Sequence, residues 1–328
     1  MIKKKLKPIV VISLFLFSWG KLNAQQDFFM SQSFVNPSMI NPSLTAIQDG
    51  PEFGLFNRYQ WLGSESTPNT QQLIFSTTYN KPAYLKSAYK SGALRRGKKR
   101  SKGGLFHVFN ASIINDRAGA FSKLETRFHW SPQVRIGKDI YAGLGPVVSF
   151  SRFQLDPERL SFKDGTDVAW GQIQKSGLTN SSANISFCGN VHSQNFYFGA
   201  AFLDALNQSW NRADSSGLLV DRNLIINGSY RYNINQLFSV SAAGVTRFTF
   251  GSPIDHSISF RGIYNNLVWL GFGYRSSKAM NISFGAHINQ RFNIVYTAEK
   301  SFLGVTGVGL THEFYLAYIL PTRKGSKF

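Results

Sequence analysis

The residues of this sequence that could do catalytic chemistry are a few histidines and one cysteine, and their spacing forms no recognisable centre. A metal site or a nucleophile with its base needs such residues at defined intervals. Cys188 has no second cysteine to pair with, and the histidines occur singly, at His107, His129, His192, His256, His287 and His312. No phosphate loop, zinc-binding helix motif, nucleophile elbow or dinucleotide fingerprint occurs. The sequence therefore predicts a protein that is not an enzyme and that uses no cofactor or metal.

The strongest chemical signal is a run of positive charge over residues 81–103, which we call the basic arm. The run contains no acidic residue. Its candidate contact residues are Lys86, Lys90, Arg95, Arg96, Lys98, Lys99, Arg100 and Lys102. Such a run could bind an acidic polymer or an acidic protein surface. A solvated loop without any partner explains the same composition equally well.

The elements that must position this arm are short β-strands. In residues 282–289, for example, apolar side chains alternate with small or polar ones, and this period of two is the strand signal. No stretch of the chain after residue 24 sustains a helical period. We count fourteen such segments, at 53–62, 70–80, 104–115, 121–136, 140–155, 181–192, 195–206, 223–233, 236–248, 256–264, 267–276, 280–289, 292–302 and 309–320.

These segments predict an all-β fold, a single transmembrane antiparallel β-barrel of about 14 strands over residues 53–320. The even strand count and the alternation of tight turns with longer loops are typical of bacterial outer-membrane barrels, and they predict that both termini are periplasmic. A soluble β-sandwich or lipocalin-like barrel is the alternative. It is disfavoured because the strands are too numerous for one sandwich and because Lys/Glu pairs, expected on a solvated sheet face, are scarce.

The first residues have the layout of a secretory signal peptide over residues 1–24, with four early lysines, an apolar run and a small residue, Ala24, at the cleavage site. Cleavage leaves 31 basic and 17 acidic residues, a net charge of +14. An exported chain rarely meets nucleic acid, so the expected partners are anionic lipid or lipopolysaccharide, cell-wall polymer, or an acidic protein surface. Residues 25–52 then form a periplasmic N-terminal segment, and residues 321–328 a short basic tail.

Two expectations concern the barrel wall. Four of the five tryptophans after residue 24 fall within or close to predicted strand ends, and they are interpreted as an aromatic girdle at the membrane interface. The five are Trp61, Trp130, Trp170, Trp210 and Trp269. A sugar-binding platform is the alternative. Glycine pairs such as Gly143 and Gly145 are interpreted as close-packing positions on the inner wall.

The N-terminal sequence QQDFFMSQSFVNPSMINPSLTAI, followed by FNRYQWLG and TQQLIFSTTYN, resembles the opening of the PorP/SprF family of the type IX secretion system. Later segments resemble the family in the same order: NDRAG at 115–119, FYFGAAF at 196–202, VWLGFGYRS at 268–276 and THEFYLAYIL at 311–320. The matching N-terminal positions are Gln26, Asp27, Ser31, Gln32, Asn36, Pro37, Asn41, Pro42, Arg58, Gln60 and Trp61. Without the resemblance, the two Asn-Pro steps are interpreted as turns before the first strand, because proline fixes its own φ and restrains the residue before it. The basic arm is longer than the family's usual turn.

The resemblance implies a non-enzymatic outer-membrane component of type IX secretion. Such a protein docks periplasmic secretion proteins and a cell-wall-binding lipoprotein, or a secreted surface adhesin in gliding motility. The basic arm is then the candidate periplasmic contact, and the loops at 156–180 and 207–222 are candidates for cargo. An outer-membrane porin or substrate channel is the alternative function, and a barrel enzyme with catalytic groups at its rim is a third.

Overall fold

The computed structural model describes residues 30–31, 33–48, 50–64, 67–82, 104–159, 178–209, 222–249, 252–289, 291–302 and 309–321. Fourteen strands make up most of these residues. They are β1 Glu52–Tyr59, β2 Asn69–Tyr79, β3 Leu105–Ala118, β4 Phe121–Gly137, β5 Ile140–Leu155, β6 Leu178–His192, β7 Phe196–Ser209, β8 Asn223–Asn233, β9 Phe238–Thr249, β10 Asp255–Tyr264, β11 Val268–Arg275, β12 Ala279–Ile288, β13 Phe292–Ser301 and β14 Thr311–Ile319.

The strands form one closed antiparallel barrel. Each strand pairs with its neighbours in sequence, and β1 pairs with β14 to close the ring, with Glu52 opposite Ile319 and Tyr59 opposite His312. The predicted barrel is confirmed, and every strand begins and ends within three residues of its predicted bounds. The largest differences include β3, which continues to Ala118.

The two faces of the wall differ in chemistry because side chains alternate along each strand. Large apolar side chains such as Phe272, Phe284 and Leu316 are exposed on the outer face. Their neighbours, such as Ser283 and Thr297, are buried on the inner face. An apolar exterior around a polar interior is the arrangement that a bilayer imposes on a barrel. None of the helices in the described ranges has the length and apolar character needed to cross a membrane.

The barrel interior is occupied by the chain that precedes β1. We call residues 30–31 and 33–48 the inner segment; its side chains are almost all buried, with Leu44 and Thr45 fully so. It contains two short 3₁₀-helices, Pro37–Met39 and Pro42–Ile47. Residues 25–52 were expected as a periplasmic segment, and the structure differs in placing this part of them inside the barrel. Serine and glycine residues of the inner wall leave space that the segment fills; a Cβ on Gly199, for example, would stand 2.5 Å from Asn41 Nδ2.

The two ends of the barrel carry different connections. At one end, which we call the turn end, lie the short turns at 138–139, 193–195, 234–237, 265–267 and 289–291, together with both ends of the barrel sequence. At the other, the loop end, lie the longer connections at 156–177 and 210–222. The basic arm joins β2 to β3 at the turn end. Its candidate contact residues, from Lys86 to Lys102, lie outside the described residues.

Candidate functional site: the filled lumen and the two barrel ends

The inner segment is built on a repeated Asn-Pro-Ser step. Asn36 and Asn41 each cap a 3₁₀-helix, and each side-chain oxygen accepts a hydrogen bond from the backbone N–H two residues later, at 3.0 and 3.1 Å. The hydroxyls of Ser38 and Ser43 donate to the same oxygens at 2.7 Å. Proline suits the first position of each helix because it fixes φ and has no N–H to satisfy. The expected turns are therefore two copies of one capped motif.

The amide nitrogens of the two caps hold the segment to different parts of the wall. Asn36 Nδ2 donates to Glu52 Oε1 in β1 at 3.1 Å and to Tyr315 Oη in β14 at 2.7 Å. Asn41 Nδ2 donates to the Gly189 carbonyl in β6 at 3.1 Å. Because β1 and β14 lie across the ring from β6, the motif spans the lumen.

Four charged side chains from four strands meet near the loop end of the barrel. Arg58 in β1 pairs with Glu313 in β14 at 2.6 Å and with Glu299 in β13 at 3.4 Å. Arg275, the last residue of β11, pairs with Glu299. All four are buried, and their formal charges sum to zero. Buried charges are tolerated only when they are paired in this way. We call these residues the charge quartet.

Ser31 of the inner segment is held on the charge quartet. Its backbone N–H and its hydroxyl both donate to Glu313 Oε1 at 2.9 Å. Arg58 Nη1 donates to the Ser31 hydroxyl at 3.2 Å, and Asn281 Nδ2 donates to its carbonyl at 2.9 Å. The segment is thus fixed at its upstream end by charge-assisted hydrogen bonds, which are among the stronger ones in proteins.

Apolar packing fixes the middle of the segment. Phe34 lies against Arg261, whose guanidinium carbon is 4.4 Å from the phenyl centroid and 5.3 Å from the Trp269 ring. Trp269 is only 3% exposed and faces the lumen, so the girdle interpretation is wrong for this residue. Trp130 is exposed on the outer face, as expected. Trp170 and Trp210 lie outside the described residues.

The downstream end of the segment lies at the turn end. Ala46 packs in a cluster with Phe106 and Tyr141, which stand at the start of β3 and β5. Gln48 accepts a hydrogen bond from Ser76 in β2, and its carbonyl accepts one from the ammonium of Lys81, the first residue of the basic arm. The inner segment and the arm therefore meet at this end of the barrel.

A cleft lies beside the inner segment, within the described part of the chain. This cleft of about 40 Å³ lies between Phe34, Tyr197, Trp269 and His287, which is room for a few water molecules. Gly143 and Gly145 are close-packing positions on the inner wall, as predicted: a Cβ on Gly145 would stand 2.0 Å from the Trp130 carbonyl oxygen. Across the described part of the chain, no three His, Cys, Asp or Glu side chains are grouped to hold a metal.

The charges of the connections are divided unequally between the ends. The turn-end connections and the C-terminal tail carry 14 cations and one acid, Asp139, in the sequence. The loop-end connections carry 6 cations and 7 acids. The positive surplus of the connections therefore belongs to the turn end, and most of it to the basic arm.

Sequence comparisons give one family. Residues 22–318 match the sequence model of the family described as type IX secretion system membrane protein PorP/SprF. No curated protein matches the chain at a significant level.

Among solved structures, the chain is similar to the Acinetobacter baumannii outer membrane protein Omp33, with 8% identity, a TM-score of 0.44, and coverage of 84% of this chain and 100% of that one. It is also similar to the Ralstonia pickettii toluene transporter TbuX, with 12% identity, a TM-score of 0.47, and coverage of 86% and 93%. For the Pseudomonas putida toluene transporter TodX the values are 10% identity, a TM-score of 0.44, and coverage of 89% and 97%.

Proposed function

Because the chain belongs to the PorP/SprF family of type IX secretion system membrane proteins, we propose that it is a non-enzymatic component of that system which docks partners at the two ends of its barrel. The observation that carries this proposal is the family match, which extends over residues 22–318. The barrel and the family together place the protein in the outer membrane. We further propose that residues 1–24 are an export signal that is cleaved near Ala24, which N-terminal sequencing of the mature protein checks.

The filled lumen supports docking over transport. A porin or substrate channel needs a continuous aqueous path, whereas the inner segment here crosses between opposite walls and is bonded to both. Planar-bilayer recording tests this point directly. The purified protein is expected to show no stable open conductance, and a variant without residues 30–48 is expected to conduct because its inner wall is lined by serine and asparagine. A steady open conductance of the unmodified protein would favour the channel alternative.

The turn end is the proposed site for the periplasmic partners, since short turns face the periplasm in bacterial barrels. Its charge surplus fits an acidic surface on a periplasmic type IX secretion protein or on a cell-wall-binding lipoprotein. The proposed contacts are the candidate residues of the basic arm, Lys86, Lys90, Arg95, Arg96, Lys98, Lys99, Arg100 and Lys102. Lys81, the first residue of the arm, donates a hydrogen bond to the Gln48 carbonyl of the inner segment, so the arm starts at the turn end of the barrel.

The loop end is the proposed site for secreted cargo. The connections at 156–177 and 210–222 are the longest at that end. Their nearly balanced charge offers hydrogen-bonding surface without a strong preference for acidic partners. A surface adhesin used in gliding is the cargo that the family membership suggests, and outer-membrane lipid surrounds the barrel between the two sites.

The test is affinity purification from detergent-solubilised outer membranes, with mass spectrometry of the co-purifying proteins. Changing the eight candidate cations of the arm to glutamine is expected to remove the periplasmic partners and to leave the barrel folded. The matched control neutralises six loop-end cations, Arg159, Lys163, Lys175, Arg212, Arg222 and Lys278, and is expected to retain those partners. Loss of the periplasmic proteins from the control, or their retention by the arm variant, would place the contact elsewhere.

A further inference from the structure

The inner segment runs lengthwise through the barrel, from the loop end to the turn end. Ser31 bonds to Arg58, the next-to-last residue of β1, and to Arg275, the last residue of β11, both beside the loop end. Gln48 bonds to Ser76 and Lys81, beside the turn end. The described part of the segment therefore begins near the loop end and finishes near the turn end.

The length of chain ahead of Met30 is short. After the proposed cleavage near Ala24, residues 25–29 precede it, and five residues reach at most about 18 Å when fully extended. The apolar band of an outer-membrane barrel is about 25 Å tall. From the charge quartet, which lies near the loop end, five residues cannot return to the turn end.

We propose that the mature N-terminus emerges at the loop end, on the side of the long connections and opposite to the C-terminal tail. The chain is then threaded through its own barrel before it forms β1. This differs from the expectation that both termini are periplasmic. The inference rests on the proposed export and cleavage.

The anchor at Ser31 makes this path specific. A segment that entered from the turn end and folded back would have to place its N-terminal residues beside Ser31 within a lumen that is already packed. Met30, Ser31 and Ser33 are each no more than 4% exposed, and Phe34 fills the space in front of Trp269 and Arg261. The packing around Ser31 therefore favours a mature N-terminus that leaves the barrel at the loop end, which is the nearer of the two mouths.

The experiment is single-cysteine labelling in a Cys188→Ser background, in cells that export the full chain. The variants Gln26→Cys, Ser215→Cys in a loop-end connection and Ser326→Cys in the tail are treated with a membrane-impermeant maleimide before and after permeabilisation. Residue 26 is expected to label in intact cells, together with residue 215, whereas residue 326 labels only after permeabilisation.

Labelling of residue 26 together with residue 326 would overturn the proposal, and so would a residue 26 that reacts under neither condition. The comparison between reporters is valid whichever face of the membrane the loop end occupies. N-terminal sequencing of the same samples identifies a failure of the proposed cleavage, and the partners recovered by affinity purification test the secretion role separately.

Discussion

Replacing Arg58 with methionine should destabilise the barrel more than any change to a surface ion pair. Arg58 bonds to Glu313, Glu299 and Ser31, and the charge quartet contains two cations and two anions. Without Arg58, Arg275 still pairs with Glu299, whereas Glu313 loses its 2.6 Å ion pair. Methionine has a similar length and keeps most of the packing, so the change isolates the charge.

The expected cost follows from burial. Removal of one partner from a buried ion pair typically lowers the free energy of unfolding by about 3–5 kcal/mol, because the remaining charge is left uncompensated. At about 1.4 kcal/mol per tenfold change, this is a loss of two to four powers of ten in the folding equilibrium constant. The double variant Arg58→Met with Glu313→Gln restores neutrality and should recover more than half of the loss.

The measurement is urea unfolding of the purified protein in phospholipid vesicles, followed by tryptophan fluorescence and by the heat-modifiable mobility of folded barrels on gels. The matched control is Arg159→Met, which breaks an exposed pair with Asp156 at 3.2 Å and should cost less than about 1 kcal/mol. If Arg58→Met costs no more than the control, or if the double variant is no more stable than the single one, the quartet does not anchor the segment.

Three further predictions test the wall and the inner segment. Gly145→Ala should prevent correct folding or lower stability severely, since its Cβ would stand 2.0 Å from the Trp130 carbonyl oxygen. The control is Gly262→Ala, whose Cβ would have nothing within 4 Å and which should change the free energy of unfolding by less than about 0.5 kcal/mol. In a Cys188→Ser background, Ser38→Cys with Asn110→Cys should form a disulfide detectable on non-reducing gels, because the Ser38 hydroxyl and the Asn110 amide nitrogen are 3.5 Å apart. The control pair, Ser38→Cys with Asn115→Cys on the outer face, should form none. Absence of the first disulfide would contradict the location of the inner segment. Asn36→Ala should lower the free energy of unfolding by about 1–3 kcal/mol through loss of the cap and of the hydrogen bonds to Glu52 and Tyr315. The control Asn115→Ala should have little effect. Equal stability of the two variants would refute the role of the Asn36 amide.

The strands were predictable from the sequence because a wall with lipid on one side imposes a period of two. In β12, Ile282 and Phe284 alternate with Ser283 and Gly285, and the exposed and buried faces follow that alternation. The same parity could have placed Trp269 correctly, since it shares a face of β11 with Gly271 and Gly273. A Cβ on Gly285 would stand 2.1 Å from the Trp269 ring, so the indole occupies space that a glycine leaves.

The inner segment was not predictable as a lumen element because its short 3₁₀-helices have no periodic signal. The available sign was the repetition of Asn-Pro-Ser at Asn36 and Asn41, which simple turns do not require. The charge quartet also could not be predicted from the sequence. Arg58 and Glu313 are 255 residues apart in sequence, and only the pairing of β1 with β14 brings them together.

The hydrogen bonds of Ser31 and Asn36 imply a particular order of assembly. Both residues bond to β1 and β14, the first and last strands of the barrel, through Arg58 and Glu313 in one case and Glu52 and Tyr315 in the other. Half of each binding site is therefore absent until the final strand arrives. Capture of the segment is therefore expected to coincide with ring closure, and a mutation in β14 should arrest folding with the N-terminal chain still outside.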